Sequence, residues 1–325
     1  ALFGLPTISR DEFEVSGRLR WGGFPAALEE VQVRLGANTL SANGTVGRPP
    51  HFDGTNFEFE GQGPDITAIA ALARVELPAD SYQMSGRLVR EDDRIRFDAL
   101  DARIGQASIA VNGSIGDPPT YEGTELEIAV EGPNLADFSG LFGHSLPATP
   151  FSITGGFTKA SGAIQLEDVQ ARIGQSDVAV DGTLRTENAG VGTELTIVAG
   201  GPSATEIGPF IGRTDLPNDE WRIAGRATLL SRGVRLEGVS GSLGELRVAA
   251  DGTVGTGEGL VGTDVELRIQ EPDLRHLADL ATVAEMPAEP LRAHGRVVVT
   301  EAGFEIHGVE AISRDIAVTA EGHIG

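Results

Sequence analysis

Glycine, proline and apolar residues recur together in this chain at a spacing close to seventy residues. Each copy contains an apolar-x-apolar-x-glycine segment, and its glycine returns at intervals of 69, 69, 70 and 70 residues: Gly17, Gly86, Gly155, Gly225 and Gly295. A second glycine row follows the same intervals: Gly44, Gly113, Gly182, Gly252 and Gly322. A period held by several residue types at once is typical of stacked copies of one supersecondary unit.

The period predicts one continuous repeat array over residues 1–325 rather than separate domains. The repeats cover approximately residues 12–81, 82–150, 151–220 and 221–290, with a partial fifth copy at 291–325. Residues 1–11 resemble the tail of a preceding repeat. We therefore expect the chain to be part of a longer protein.

Each copy predicts four β-strands followed by one short helix. The first strand alternates strictly, with Phe13, Val15 and Gly17 on one side, as expected for a half-buried strand. The alternation of the second strand slips once, between Phe97 and Leu100, and slips at the equivalent place in the other copies, which predicts a β-bulge. Before each helix stands a good N-cap residue: Asp65, Asn134, Ser203 and Asp273. About ten helical residues are expected before a Leu-Pro or Met-Pro step ends the helix.

The charged residues of the strands are also periodic. Arginine recurs on the first strand at Arg18, Arg87, Arg226 and Arg296, and glutamate recurs on the fourth strand at Glu58, Glu125, Glu127, Glu194 and Glu266. If the fourth strand of one copy pairs with the first strand of the next, the two rows face each other. Exposed pairs of this kind contribute only ~0.2–1 kcal/mol each, so their expected role is to set strand register.

The charge balance excludes some partners. The formal net charge is −23 and the pI is near 4.6. Nucleic-acid binding depends on Lys and Arg against phosphate, so this balance argues against nucleic acid and against broad docking onto anionic lipid headgroups. The sequence has no cysteine, which excludes disulfides and thiolate metal sites. No stretch reaches the ~20 apolar residues of a membrane-spanning helix.

Residues for catalysis or metal binding do not cluster along the sequence. None of the six histidines shows a metal-ligand spacing: His51, His144, His276, His294, His307 and His323. Most carboxylates fall at outward strand positions or in turns. We therefore expect no enzymatic activity, no cofactor and no metal.

The apolar face of each repeat is too broad for its own helix. Four strands of about eight residues present an apolar face of roughly 500 Å², whereas a ten-residue helix covers roughly 150 Å². Glycines in mid-strand, in phase with the apolar residues, favour a bend in the strand or a close approach by another group. We therefore expect a mainly β fold, a repetitive antiparallel meander with four strands and one short helix per repeat, curled into an elongated U-shaped groove.

The inward apolar residues are the candidate groove lining. They are Phe13, Val15, Trp21, Phe57, Phe59, Ile95, Phe97, Ile109, Val111, Leu126, Ile128, Ile164, Leu166, Leu195, Ile197, Trp221, Ile223, Val265 and Leu267. The residues alone leave two interpretations open. The apolar face either packs against itself as a closed core or remains open and accepts an apolar ligand.

The combined motifs resemble a known family. The apolar-x-apolar-x-Gly segment is followed by Asp-Ala-Arg-Ile-Gly at residues 101–105 and the similar Asp-Val-Gln-Ala-Arg-Ile-Gly at residues 168–174, by Val-x-Gly-x-apolar, by Gly-Pro-Asp/Asn-Leu and by Leu-Pro. This order is similar to the periplasmic region of AsmA-like proteins, including TamB-type relatives, which belong with the bridge-like lipid transfer proteins. The resemblance covers nearly the whole chain. The fifth copy departs from it at Ile312–Asp315 and the fourth at Gly241–Gly244.

The resemblance implies a function in the bacterial cell envelope. It implies a periplasmic β-groove, anchored in the inner membrane by a segment outside this chain, that holds phospholipid acyl chains for lipid transport between membranes or for outer-membrane biogenesis and homeostasis. The expected partners are phospholipid acyl chains and, through segments outside this chain, bacterial membranes. The alternative is a structural or adhesive β-repeat protein with a closed, self-packed core.

Overall fold

The structure is a computed structural model that describes residues 13–67, 70, 77–142, 145–211, 213, 215–275, 287–314 and 316–324. It is a mainly β protein in which nineteen strands form one antiparallel sheet that does not close on itself. The fold class expected from the sequence, a repetitive antiparallel meander, is confirmed. The predicted repeat tail over residues 1–11 lies outside the described residues.

The strands follow the four-strand repeat, and each is called first, second, third or fourth by its place in its copy. The first copy has β1 (Phe13–Arg20), β2 (Ala26–Leu35), β3 (Asn38–Val46) and β4 (Asn56–Gly63). The second has β5 (Tyr82–Glu91), β6 (Arg94–Ile104), β7 (Ala107–Gly116) and β8 (Thr124–Gly132). The third has β9 (Phe151–Ala160), β10 (Ala163–Ile173), β11 (Ser176–Arg185) and β12 (Glu194–Gly201). The remainder are β13 (Trp221–Leu230), β14 (Gly233–Leu243), β15 (Leu246–Gly255), β16 (Asp264–Glu271), β17 (Leu291–Thr300), β18 (Gly303–Ser313) and β19 (Ile316–Ile324).

The chain divides into two compact units. The first comprises residues 1–162 and 171–174 and contains β1–β9, and the second comprises residues 163–170 and 175–325 and contains most of β10 and all of β11–β19. Within the first unit every strand from β1 to β9 pairs antiparallel with the next. In the second unit the same holds from β11 to β19.

The short helices expected from the sequence are present in the second and third copies. In the second copy a 3-10 turn over Leu135–Phe138 leads into α1 (Ser139–Phe142), and in the third a 3-10 turn over Ala204–Glu206 is followed by α2 (Gly208–Ile211). Glycine at residues 140 and 208 and proline at 209 disfavour one continuous helix. Much of the segment lies outside the described residues in the first and fourth copies.

All four predicted N-cap residues accept the expected backbone hydrogen bond. The N–H groups of Thr67, Ala136, Thr205 and Arg275 donate to the side chains of Asp65, Asn134, Ser203 and Asp273 at 2.8, 3.2, 3.3 and 3.0 Å. The Thr67 hydroxyl also donates to Asp65, and these hydrogen bonds lower the pKa of that carboxyl. Capping is therefore the common signal that begins each helical segment.

Small hydrophobic clusters form where the helical segments cover one end of the sheet. In the first unit, Leu135 and Phe138 pack on Ala107 and Phe151, and Ile66 packs with Tyr82 and Ile104. In the second unit, Ala204 packs on Ala199 and Trp221. Each cluster buries the beginning of a first strand, so the helical segments close one margin of the apolar face.

The predicted bulge is present in the second strands. Strand register shifts between Leu28 and Val31, Phe97 and Leu100, Leu236 and Val239, and Ile306 and Val309. The bulge residue has positive φ, and its N–H donates at 2.7–2.8 Å to an Asn or Asp of the third strand: Glu30 to Asn43, Ala99 to Asn112, Asp168 to Asp181 and Gly238 to Asp251. This side chain replaces the ladder partner that the bulge removes.

Most glycines of the two rows lie where the backbone of the neighbouring strand approaches closely; Gly322 is an exception, with no atom within 4 Å of its Cβ position. A Cβ on Gly225 of β13 would lie 2.6 Å from Cα of Val239, next to the bulge of β14. A Cβ on Gly182 of β11 would lie 2.1 Å from the carbonyl oxygen of Glu194, and Gly182 has a φ of +137°. The glycines are therefore required by close approach, one of the two roles expected from the sequence.

Substituting Gly182 tests this requirement. Gly182→Ala should lower the free energy of unfolding by about 2–3 kcal/mol, because the methyl group overlaps a backbone oxygen and the φ disfavours any side chain. The matched control is Gly241→Ala, another mid-strand glycine of the second unit, whose added Cβ would meet only the Arg222 oxygen, at 3.6 Å. Urea unfolding followed by far-UV circular dichroism should separate the two midpoints; equal midpoints would contradict the close-approach argument.

The bulge acceptor allows a second test. Asp181→Ala should cost about 1 kcal/mol, because the N–H of Asp168 loses its acceptor, whereas Asp181→Asn should be close to neutral. Asparagine already holds this position at Asn43 and Asn112. Unfolding midpoints of the two variants measure the difference, and a loss of the same size in Asp181→Asn would show that the carboxylate charge matters instead.

Candidate functional site

The predicted groove residues within strands lie on one face of the sheet in each unit, here called the apolar face, whereas Trp21 follows the end of β1 and lies outside the strands. In the first unit, cross-strand pairs join Phe57 to Leu88, Leu88 to Phe97 and Phe97 to Gly113. In the second, Leu195 pairs with Ala227 and Val265 with Val297. Register and alternation therefore bring the predicted residues of each unit together on a common surface.

The fourth strands have a regular relation to the glycines. In each fourth strand, two apolar residues lie directly opposite a glycine of a neighbouring strand: Phe57 and Gly44, Phe59 and Gly86, Leu126 and Gly113, Ile128 and Gly155, Leu195 and Gly182, Ile197 and Gly225, Val265 and Gly252, and Leu267 and Gly295. The side chain of Phe59 comes within 3.4 Å of the Cβ position at Gly86. Large apolar side chains therefore lie next to glycines, which have no side chain, across the apolar face.

The predicted residues differ in burial. Twelve are half-buried: Phe57, Phe59, Ile95, Phe97, Ile109, Val111, Leu126, Ile128, Ile164, Leu195, Ile197 and Leu267. Leu166, Trp221 and Val265 are buried, and Phe13, Val15, Trp21 and Ile223 are exposed. Trp221 packs in the helix-covered cluster with Ala204, so it lies under the closed margin rather than on the open part of the face. The middle of the apolar face keeps partial contact with solvent.

A cleft of about 970 Å³ lies on the opposite, polar face of the first unit. It crosses all nine strands, and its end strands contribute only polar-face residues, Glu14 and Ser16 from β1 and Ser152 and Thr154 from β9. Its lining includes Arg34, Glu60, Asp101, Arg103 and Glu131 among serines and glutamines. Of the predicted groove residues, Ile109 alone borders this cleft. The cleft therefore differs from the apolar site expected from the sequence, and sequence analysis did not find it.

The seams between copies show the expected pairing. The fourth strands β4, β8, β12 and β16 pair with the first strands of the following copies, β5, β9, β13 and β17. Arg226 lies 3.4 Å from Glu194, and Arg296 donates twice to Asp264 at 2.6 Å. The hydrogen bonds from Arg296 lower the pKa of Asp264. These exposed pairs orient the strands and contribute little energy.

Within the described residues, no group of three or more His, Asp or Glu side chains is arranged to hold a metal ion. His294 and His307 lie 3.7 and 3.3 Å from Glu310 and Glu305 as single pairs. His144 and His276 lie outside the described residues. Among the helices described, none is long and apolar enough to cross a bilayer.

Comparison with protein-family models, with curated proteins and with solved structures finds no match for this chain. The function is therefore argued from the geometry of the sheet and from the sequence motifs.

The apolar face also carries a charged pair, Arg90 and Asp117, in which the arginine side chain is well buried. The side chain of Arg90 is 10% exposed, and both terminal nitrogens of its guanidinium donate to the carboxylate of Asp117. These hydrogen bonds lower the pKa of Asp117. Lys159, Leu229 and Val299 stand at the equivalent position in later copies, so this position accepts either a cationic or an apolar side chain.

Removing this pair in two ways tests its structural role. Asp117→Ala alone should lower the unfolding midpoint, because it leaves the Arg90 cation with only a longer ion pair to Asp53, at 3.9 Å, whereas the double variant Arg90→Leu/Asp117→Ala should recover most of the loss. In the wild type the stabilisation should be present above about pH 4 and disappear as pH falls through the lowered pKa of Asp117. Urea midpoints at several pH values measure both effects; a double variant no more stable than the single one would contradict this role.

Proposed function

We propose that this chain is a non-enzymatic lipid-holding segment, and that its apolar face accepts the acyl chains of phospholipids. The observation that carries the proposal is the burial pattern of the apolar face. Its central rows, which include Phe57, Phe97, Leu126 and Leu195, remain half-buried, while the helical segments cover only the margin. A self-packed core would bury such rows, so the closed alternative fits this pattern less well.

The chemistry of the apolar face favours acyl chains over other ligands. It is built from aliphatic and phenylalanine side chains, with glycines that leave space between them. Each methylene transferred from water to such a surface contributes up to about 0.8 kcal/mol. Acyl chains need no hydrogen-bond partners, so a surface with few polar groups can hold them regardless of headgroup. The net charge of −23 disfavours recognition through an anionic headgroup.

The cell-envelope setting rests on the motif resemblance to AsmA-like proteins. On this proposal the chain works in the bacterial periplasm, as part of a protein anchored in the inner membrane by a segment outside this chain. It would contribute to phospholipid movement between the membranes or to outer-membrane homeostasis. No step of bond making or breaking is required.

Lipid content of the purified chain tests the proposal. Native mass spectrometry and organic extraction of the chain expressed in a bacterial host should find co-purified phospholipid with mixed headgroups. Leu126→Asn/Ile128→Asn should reduce the bound lipid about fivefold or more, because two amides are then placed under the acyl chain without partners. The matched control, Glu125→Asn/Glu127→Asn, changes the opposite face of the same strand and should retain the lipid.

A milder variant distinguishes loss of lipid binding from loss of folding. Ile223 lies on the apolar face and is 44% exposed, so Ile223→Gln should fold normally and still take up less fluorescent phospholipid from phosphatidylethanolamine vesicles. Circular dichroism confirms the fold of each variant. A chain that carries no phospholipid and takes none from vesicles would overturn the proposal and favour the structural or adhesive alternative.

A further inference from the structure

The polar cleft of the first unit contains two parallel rows of hydrogen-bonding side chains across β3–β6. Residues of one row lie opposite one another in strand register, and we call it the amide row: Thr39, Gln62, Gln83 and Arg103. The second row lies two residues further along each strand, and we call it the carboxylate row: Ser41, Glu60, Ser85 and Asp101. Both rows line the cleft of about 970 Å³.

A second cavity, of about 420 Å³, extends the cleft toward the turns at Ala37 and Gly105. All four residues of the amide row line this cavity as well as the cleft. The amide row therefore has space on both sides, and a ligand lying across the strands could contact it along its whole length.

The polar groups of the two rows are largely unused within the protein. Among the residues that the structure describes, no hydrogen bond or ion pair joins these side chains to another protein group: Glu60, Gln62, Gln83, Asp101 and Arg103. An amide both donates and accepts hydrogen bonds, a carboxylate accepts them and a guanidinium donates them. The cleft therefore offers donors and acceptors side by side.

The fold itself does not require these residues. Strands β12–β14 of the second unit pair in the same way as β4–β6. Their equivalent positions carry different chemistry: Val198 in place of Glu60, Gly200 in place of Gln62, Arg222 in place of Gln83 and Ser242 in place of Arg103. Strand pairing therefore does not account for the amide and carboxylate rows of the first unit.

We propose that this cleft binds a linear, uncharged carbohydrate chain that lies across the strands. Sugar hydroxyls donate and accept hydrogen bonds, as this lining requires, and neighbouring hydroxyls suit the paired polar atoms of amide, carboxylate and guanidinium groups. Adjacent strands lie ~4.8 Å apart, which is close to the length of one sugar unit in a linear β-linked chain. Successive sugars therefore meet equivalent positions on successive strands.

Other ligands fit the lining less well. Asp101 and Arg103 lie two residues apart on one face of β6, so a ligand with charges of one sign meets repulsion at one of them. The net charge of −23 further disfavours a polyanion. None of the described residues that line the cleft is aromatic, so binding depends on hydrogen bonds, and we expect a Kd of about 1 mM. The cleft lies on the face opposite the lipid surface, and either proposal can fail alone.

Two hexasaccharides, cellohexaose and chitohexaose, are the probes. In saturation-transfer NMR titrations with the full 325-residue chain, at least one of them should bind with a saturable signal. The disaccharide of the same sugar should bind about fivefold more weakly or less, because it reaches only two strands. Absence of saturable binding by both hexasaccharides, or equal affinity for the disaccharide, would overturn the proposal.

A double variant on β6 locates the site. Asp101→Ser/Arg103→Ser should weaken binding about tenfold, because it removes one acceptor and one donor group. Serine already stands at both equivalent positions of β14, Ser240 and Ser242, so the sheet should accept it.

The matched control is Arg96→Ser/Asp98→Ser. It removes the same two charges from the same face of β6, outside the cleft, and should change the Kd less than about twofold. Circular dichroism checks that both variants fold, and both should keep the phospholipid content of the wild type. Equal weakening by the two double variants, or no weakening by Asp101→Ser/Arg103→Ser, would place the carbohydrate elsewhere and overturn the assignment of the cleft.

Discussion

At most glycines of the two periodic rows, backbone atoms of the adjacent strand lie closer than a Cβ would permit. At Gly182 the space for a Cβ is occupied by the carbonyl oxygen of Glu194, and at Gly225 by the backbone of Val239. The second of these contacts lies beside a bulge that an Asp side chain from the next strand holds in place, as Asp251 does for Gly238. Each bulge bends its strand and increases the local twist, and the glycine of the neighbouring strand leaves room for this bend.

The same contacts shape the apolar face. A glycine leaves a gap in the surface, and the apolar residue of the fourth strand lies directly beside that gap, as Phe59 does at Gly86. The face is therefore uneven, with ridges at the fourth strands and depressions at the glycine rows. The helical turns bury Phe151 and Trp221 at one margin and leave the central rows partly open to solvent. An open, uneven aliphatic surface suits a flexible apolar ligand, which is why the proposal names acyl chains.

Much of the fold could be predicted from the sequence because periodicity is a local signal repeated several times. The strand order, the bulge near Phe97 and the N-cap at Asn134 each follow from residues close in sequence. The short helical segments after Asn134 and Ser203 follow from the same local signals. The polar cleft of the first unit was missed because nine strands form it together, and the sequence of one repeat does not determine the curvature of the whole set. The sequence contains both the apolar residues and the glycines, but their pairing, as between Phe59 and Gly86, follows only from the register of neighbouring strands.

The seam between a fourth strand and the next first strand is nearly the same wherever it occurs, from Phe59 beside Gly86 to Leu267 beside Gly295. In register, any copy could therefore follow any other, although the charges differ at the seam of β8 and β9, where Gly156 lies opposite Glu127. Gene segments encoding whole units could be duplicated or lost while the sheet stays in register. Natural selection could in this way adjust the length of such a protein in steps of one repeat.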